Sequence, residues 1–202
     1  MGVLVVCQWL GLRMGEALYQ HVALSAEGLA GGKLWTLLSY ALFHHPTDWT
    51  HLGCNALLLI LSGGRVCQIM GGRHTLIVLI SGVLVGGVLQ TLAALLQQEE
   101  LHLIGISGGG AALLAAHLTA LSGPYGILHG FPPPLSTIKA QHLLAIMVIS
   151  TVILTLVTLF ASPITPAGQW LRHSVPALFQ ISHACHLGGM SVGLLLTRRA
   201  LR

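Results

Sequence analysis

Apolar residues run along this chain in blocks of about 20, the length that crosses a bilayer as a helix, and short polar stretches separate them. Six blocks can be marked, at residues 2–22, 51–69, 75–96, 103–121, 142–161 and 179–197. The first is weakened by Arg13 and Glu16. The second carries His51, Asn55 and Arg65, the fourth Ser107 and the sixth His186. Polar groups therefore gather in three of the six predicted helices. The pattern predicts an all-α fold, a polytopic membrane bundle forming one domain over residues 1–202, with no internal repeat. Between the first two blocks, LWTLLSYALF is apolar but too short to span. It is expected to lie in the interface within an outer loop at about 25–50, with Trp35, Tyr40 and Trp49 at headgroup depth. GFPPPLST, residues 130–137, is a rigid Pro-rich stretch in a loop at about 122–141.

Composition sharpens this picture. The 202 residues are 54% hydrophobic and 7% charged, against roughly 25% charged in an ordinary soluble domain. Lipid, unlike water, accepts such a surface. The formal net charge of +4 is thus a matter of topology. With six spans, Arg65, Arg73, Lys139, Arg198, Arg199 and Arg202 fall on one side, against Lys33 and Arg172 on the other, which predicts both termini in the cytoplasm. Basic residues are too scattered for a phosphate-tracking stripe, so no nucleic-acid partner is expected. Cys7, Cys54, Cys67 and Cys185 show no paired spacing and are expected as buried small hydrophobes. The N-terminal MGVLVVCQWLGLRMGEAL lacks a basic leader and a cleavage site. That and the chain's compactness give an expected location in a bacterial inner membrane.

Candidate chemistry comes from depth. Ser107 begins the fourth predicted helix near its outer end, His51 begins the second at the same face, and Asn55 lies one turn deeper on the same side. His186 sits one to two turns into the sixth. Strongly polar side chains inside a membrane are expensive and by default face a protein interior or a wet cavity. A serine, two histidines and an asparagine at one level can perform acyl transfer. Serine supplies the nucleophile and a neutral imidazole takes its proton, while the remaining histidine and the asparagine donate to the oxyanion. A dyad suffices where packing fixes the imidazole, and no carboxylate lies at this depth. Gly105 and Gly108 allow a tight turn into the helix beside Ser107, whose N-terminal amides favour a developing anion. His186, Gly189 and Gly193 form a small-residue stripe on which two membrane helices can touch.

With these residues the chain resembles the rhomboid family of intramembrane serine proteases. LWTLLSYALFHHPTDWTHLGCNALL resembles the family's first loop followed by HxxxN, GISG its GxSG, and CHLGGMSVG its AHxxGxxxG. The resemblance covers roughly residues 30–197. It implies a six-helix rhomboid-like bundle with Ser107 as nucleophile and His186 as general base. It also implies His51 and Asn55 in the oxyanion hole with the Ser107 amide, and Gly189 and Gly193 as helix-packing glycines. The implied activity is a serine-type endopeptidase cleaving transmembrane or membrane-adjacent segments. Its implied partners are the lipid bilayer and membrane-protein substrates with a helix-destabilising segment. The compact first loop is also similar to that of rhombosortases. Two positions depart from the family pattern: Thr36 stands where an arginine anchors the loop, and Ala111 where an aromatic supports the catalytic imidazole.

Other chemistry fits less well. His183 in SHACHLGG competes with His186 as the base, but only His186 is followed by glycines at i+3 and i+7. HACH and His44–His45 would suit zinc or copper, yet no HExxH or intramembrane carboxylate accompanies them. No cofactor or metal site is predicted. The alternative activity is that of a non-catalytic rhomboid-like protein that binds or escorts membrane clients through the same cleft.

Overall fold

The computed structural model describes residues 1–122, 139–161, 165–179 and 181–201. The Pro-rich stretch at 130–137 lies outside these described residues. All of the regular elements described are helical. In chain order they are α1 (Gly2–Met14), α2 (Glu16–Val22), α3 (Ala26–Ala30), α4 (Thr36–Ser39), a 3-10 turn (Tyr40–Leu42), α5 (Trp49–Leu58), α6 (Gly64–Met70), α7 (Gly72–Gln97), α8 (Ser107–Ala120), α9 (Ala140–Phe160), α10 (Pro166–Ser174), α11 (Pro176–Phe179) and α12 (His183–Ala200). A π turn at Leu59–Gly63 joins α5 to α6 in one continuous rod.

Among the described residues, three helices are both long and apolar enough to cross a membrane: Trp49–Met70, α7 and α9. At 1.5 Å per residue the 22-residue Trp49–Met70 helix is about 33 Å long, close to the ~30 Å of bilayer hydrocarbon. Their outward faces are apolar, with Leu57, Ile60, Ile77, Ile80, Ile149 and Ile153 all exposed, as lipid requires. The first predicted span is two helices rather than one. Gly15, at φ 61°, reaches a conformation that side chains disfavour and separates α1 from α2, so that the apolar stretch is 13 residues. The fourth predicted span is likewise shorter, because residues 103–106 are not helical and only Ser107–Ala120 is.

That short helix forms the centre of the molecule. α8 is apolar all round, as a helix enclosed by protein must be, and Gly108–Leu113 are buried without exception. α7 and α12 pack along it, with α5, α6 and α9 closing the ring. Glycine makes the approach close. A β-carbon at Gly189 would collide with the Gly108 carbonyl oxygen, and one at Gly193 with that of Ala112. Gly188 meets Gly86 of α7 in the same way, at 3.0 Å from its Cα. α12 therefore lies backbone to backbone in a groove between α7 and α8.

Two expectations are corrected here. Tyr40 is fully buried, its Oη donating to the Val83 carbonyl at 2.7 Å, because the 3-10 turn points it inward against α7. Trp35 and Trp49 are exposed as expected. Cys7 and Cys185 are buried, whereas Cys54 and Cys67 are exposed on the outward side of the Trp49–Met70 helix. An apolar position on a spanning helix faces either protein or lipid, and hydropathy alone does not separate the two.

Candidate active site at the start of α8

The chain enters α8 through a tethered extended segment. Leu103 exchanges two backbone hydrogen bonds with Leu24, at 2.9 and 3.0 Å, and the Gly105 amide donates to the Tyr40 carbonyl at 2.9 Å. Non-helical backbone inside a membrane survives only where protein satisfies it, and the first loop does so here. Gly105 then turns at φ 107°, a value that glycine reaches without strain. Ser107 opens the helix, half-buried, with three buried glycines after it.

His51 stands over this turn. A β-carbon at Gly105 would lie 2.9 Å from both Cε1 and Nε2 of the His51 ring, so that edge of the imidazole is seated where only glycine leaves room. Asp48 caps α5, its carboxylate accepting from the amides of Thr50 and His51 and from the Thr50 hydroxyl. The cap fixes the first turn of α5, which carries the ring. Asn55 is 5% exposed and donates one N–H of Nδ2 back to the His51 carbonyl at 3.0 Å. Its second N–H remains for another acceptor.

α12 closes the opposite side. Cys185 precedes His186, and its Sγ would lie 2.7 Å from a β-carbon on Gly108. The Cys185 amide, one of the unpaired donors at the α12 N-terminus, is taken by Gln90 Oε1 of α7 at 3.1 Å. His186 is half-buried one residue further on. Ser107 and His186 make no hydrogen bond to each other among the described residues. His183 is the more buried of the two histidines, at 5% exposure. Of the four glycines singled out from the sequence, Gly108, Gly189 and Gly193 lie in the α8–α12 contact. Gly105 lies outside it, in the turn beneath His51.

The two departures from the family pattern have local substitutes. Thr36 is buried and its hydroxyl donates to the Lys33 carbonyl at 2.6 Å. The loop around it is tied to the end of α2 by Trp35 Nε1 to the His21 carbonyl at 2.8 Å and Ser39 Oγ to that of Val22 at 2.9 Å. Ala111 joins an apolar cluster with Met190 and Leu144, and the placement of His186 comes from the α12 groove and Gln90. Sequence reasoning missed Gln90 and gave Tyr40 and His44 other roles, an interfacial aromatic and half of a metal-suited histidine pair. Gln90, a lone amide in the apolar run of α7, was the visible signal for the first.

His44 is fully buried beside His51, with ring centroids 5.0 Å apart. Burial, and next the neighbouring His51, push its imidazole down to about 4, so it is neutral at pH 7.

The three apolar helices of spanning length among the described residues, and a polar cluster at a buried helix start, define an integral membrane protein. Residues 31–202 match the Rhomboid domain family. Over 190 residues the chain is 27% identical to Rhomboid-related protein 3 of Homo sapiens, a similarity covering 93% of this chain. The chain spans 40% of that relative's length. The chain belongs to the rhomboid family.

Proposed function

We propose that this protein is an intramembrane serine endopeptidase in which Ser107 is the nucleophile and His186 the general base. The observation that carries this reading is the flanking of one turn. The His51 ring lies against Gly105 on one side, and the first turn of α12, bearing His186, lies against Gly108 on the other. Ser107 sits between those two glycines.

The chemistry follows from the groups available. Ser107 Oγ attacks the scissile carbonyl while His186 takes its proton. The oxyanion is received by the Ser107 amide at the helix N-terminus, the His51 ring and the remaining Asn55 N–H, donors fixed before reaction. Collapse expels the amine, which takes the proton from His186. Water, activated by the same imidazole, then adds to the acyl-enzyme and releases the carboxylic acid. A substrate segment would reach the site laterally and must unwind there, which favours helix-destabilising sequences in membrane-protein substrates.

The test is labelling of purified protein by a fluorophosphonate probe, together with cleavage of a transmembrane reporter. Labelling lost in Ser107→Ala, and cleavage lost in both Ser107→Ala and His186→Ala, are the expected results. An inserted wild-type protein that binds the reporter yet neither labels nor cleaves would instead be a non-catalytic client-binding rhomboid. We also propose cytoplasmic termini, on the loop charges; protease protection of a C-terminal tag in sealed vesicles tests that orientation.

A further inference from the structure

The first turn of α12 is held from outside the helix. Ser182 stands at its N-cap position but makes no side-chain cap bond. The amide of Cys185, the third residue of α12, instead donates to Gln90 Oε1 of α7 at 3.1 Å. One turn earlier on the same face of α7, Gly86 meets the other end of that residue. A β-carbon there would stand 2.7 Å from the Cys185 carbonyl oxygen. α7 thus grips the backbone of Cys185 at its N–H and at its C=O, one residue before His186.

The two grips do different work. A glycine-lined contact, such as that of Gly86 with Gly188, lets helices approach closely. It carries no side chain that fixes how far one helix slides or turns along the other. A directed hydrogen bond tolerates only a narrow range of length and angle and does set that height. Merely satisfying the amide would not require α7, because a serine or aspartate at the N-cap position can accept from that same third amide within its own helix. The acceptor's place on a neighbouring helix is therefore the informative feature. Ser107 and His186 must come within about 2.6–3.2 Å for proton transfer, and a misplacement of about an ångström costs on the order of 100-fold in rate.

We propose that Gln90 is a positioning residue for His186. Its bond to the Cys185 amide sets the height and rotation of α12 against α7, and with them the reach of the His186 ring to Ser107. The proposal rests on the base role given to His186 above.

Reporter cleavage and amide hydrogen exchange of nitrogen-15 cysteine-labelled protein in detergent test it, with the Cys185 signal assigned by its loss in Cys185→Ala. The wild-type Cys185 amide is expected to exchange slowly. Gln90→Met removes the acceptor at similar volume. It should speed that exchange and lower kcat on the order of tenfold, with KM within about twofold. Adding Ser182→Asp to Gln90→Met gives the amide an acceptor within α12 and should slow its exchange again, while kcat remains low because the tie to α7 is still missing. Wild-type kcat in Gln90→Met overturns the proposal. So does a double variant in which kcat returns with the slow exchange, since Gln90 would then only satisfy an amide. A wild-type Cys185 amide that exchanges freely overturns it without any variant. Wild-type protein that neither cleaves nor labels removes the protease reading instead, and the exchange comparison still decides whether Gln90 holds α12 to α7.

Discussion

Gly189→Ala probes the α8–α12 contact most directly. The added β-carbon would fall on the Gly108 carbonyl oxygen, well inside contact distance, and that atom belongs to backbone held in a buried helix. No rotamer change relieves such a clash, so α12 must move away from α8 by about an ångström. Overpacking of this kind costs roughly 1–3 kcal/mol, and a rigid backbone partner argues for the upper half of that range. In a chain of this length each kcal/mol lowers Tm by about 2–4 °C, so a fall of about 4–12 °C is expected in detergent. Misplacing a catalytic group by about an ångström costs on the order of 100-fold in rate, so reporter cleavage should fall by that factor. Gly193→Ala, against the Ala112 carbonyl one turn further from Ser107, should melt similarly but lose less activity. Gly64→Ala, exposed and with nothing within 4 Å of the new carbon, is the control and should change neither. A Gly189→Ala protein with wild-type melting and turnover would refute the close backbone packing of α8 and α12.

Three further outcomes are expected. Gln8→Leu strands the carbonyls of His45 and Pro46 and should cost about 1–3 kcal/mol, read as a lower Tm. The hydrogen bond from the Thr50 hydroxyl, then those from the His51 and Thr50 amides, and the nearby His51 hold the Asp48 carboxyl below its ordinary 3.8. A depressed folded-state value means that the cap stabilises above the unfolded value and fades as pH falls through the folded one. Asp48→Asn should therefore flatten that acid limb in melts run from pH 5 downward. Arg172 pairs with Glu99 at 2.5 Å, both partly exposed, so Glu99→Gln should cost no more than about 1 kcal/mol and should blunt the salt dependence of Tm.

The long spans were legible because hydropathy reports them directly: α7, α9 and the Trp49–Met70 helix fall within a few residues of where the apolar blocks place them. The start of α8 at Ser107 was legible for another reason, since consecutive glycines and a hydroxyl make poor helix interior and good helix entrance. The charges of Arg13 and Glu16 weakened the first span, but the break itself was not legible, because a glycine within a helical stretch reads as tolerated until its backbone angle is known. Tyr40 looked like an interfacial aromatic because its partner, the Val83 carbonyl, lies 43 positions away. His44 carried no signal as more than a member of a His-His pair. Its contact with His51 depends on how the loop folds over α1 and α2, and local pattern does not encode that.

The glycine-lined groove for α12 also has a meaning in time. During synthesis α12 follows α7 and α8 out of the ribosome, so Gly86 and Gly108 emerge before the helix that fills the groove between them. Under the proposed mechanism Ser107 would be made before its base, and the site would be completed only when α12 docks. A nascent chain whose α12 fails to seat would lack both the α8–α12 packing and the proposed base, so correct assembly and the proposed activity would arise in one event.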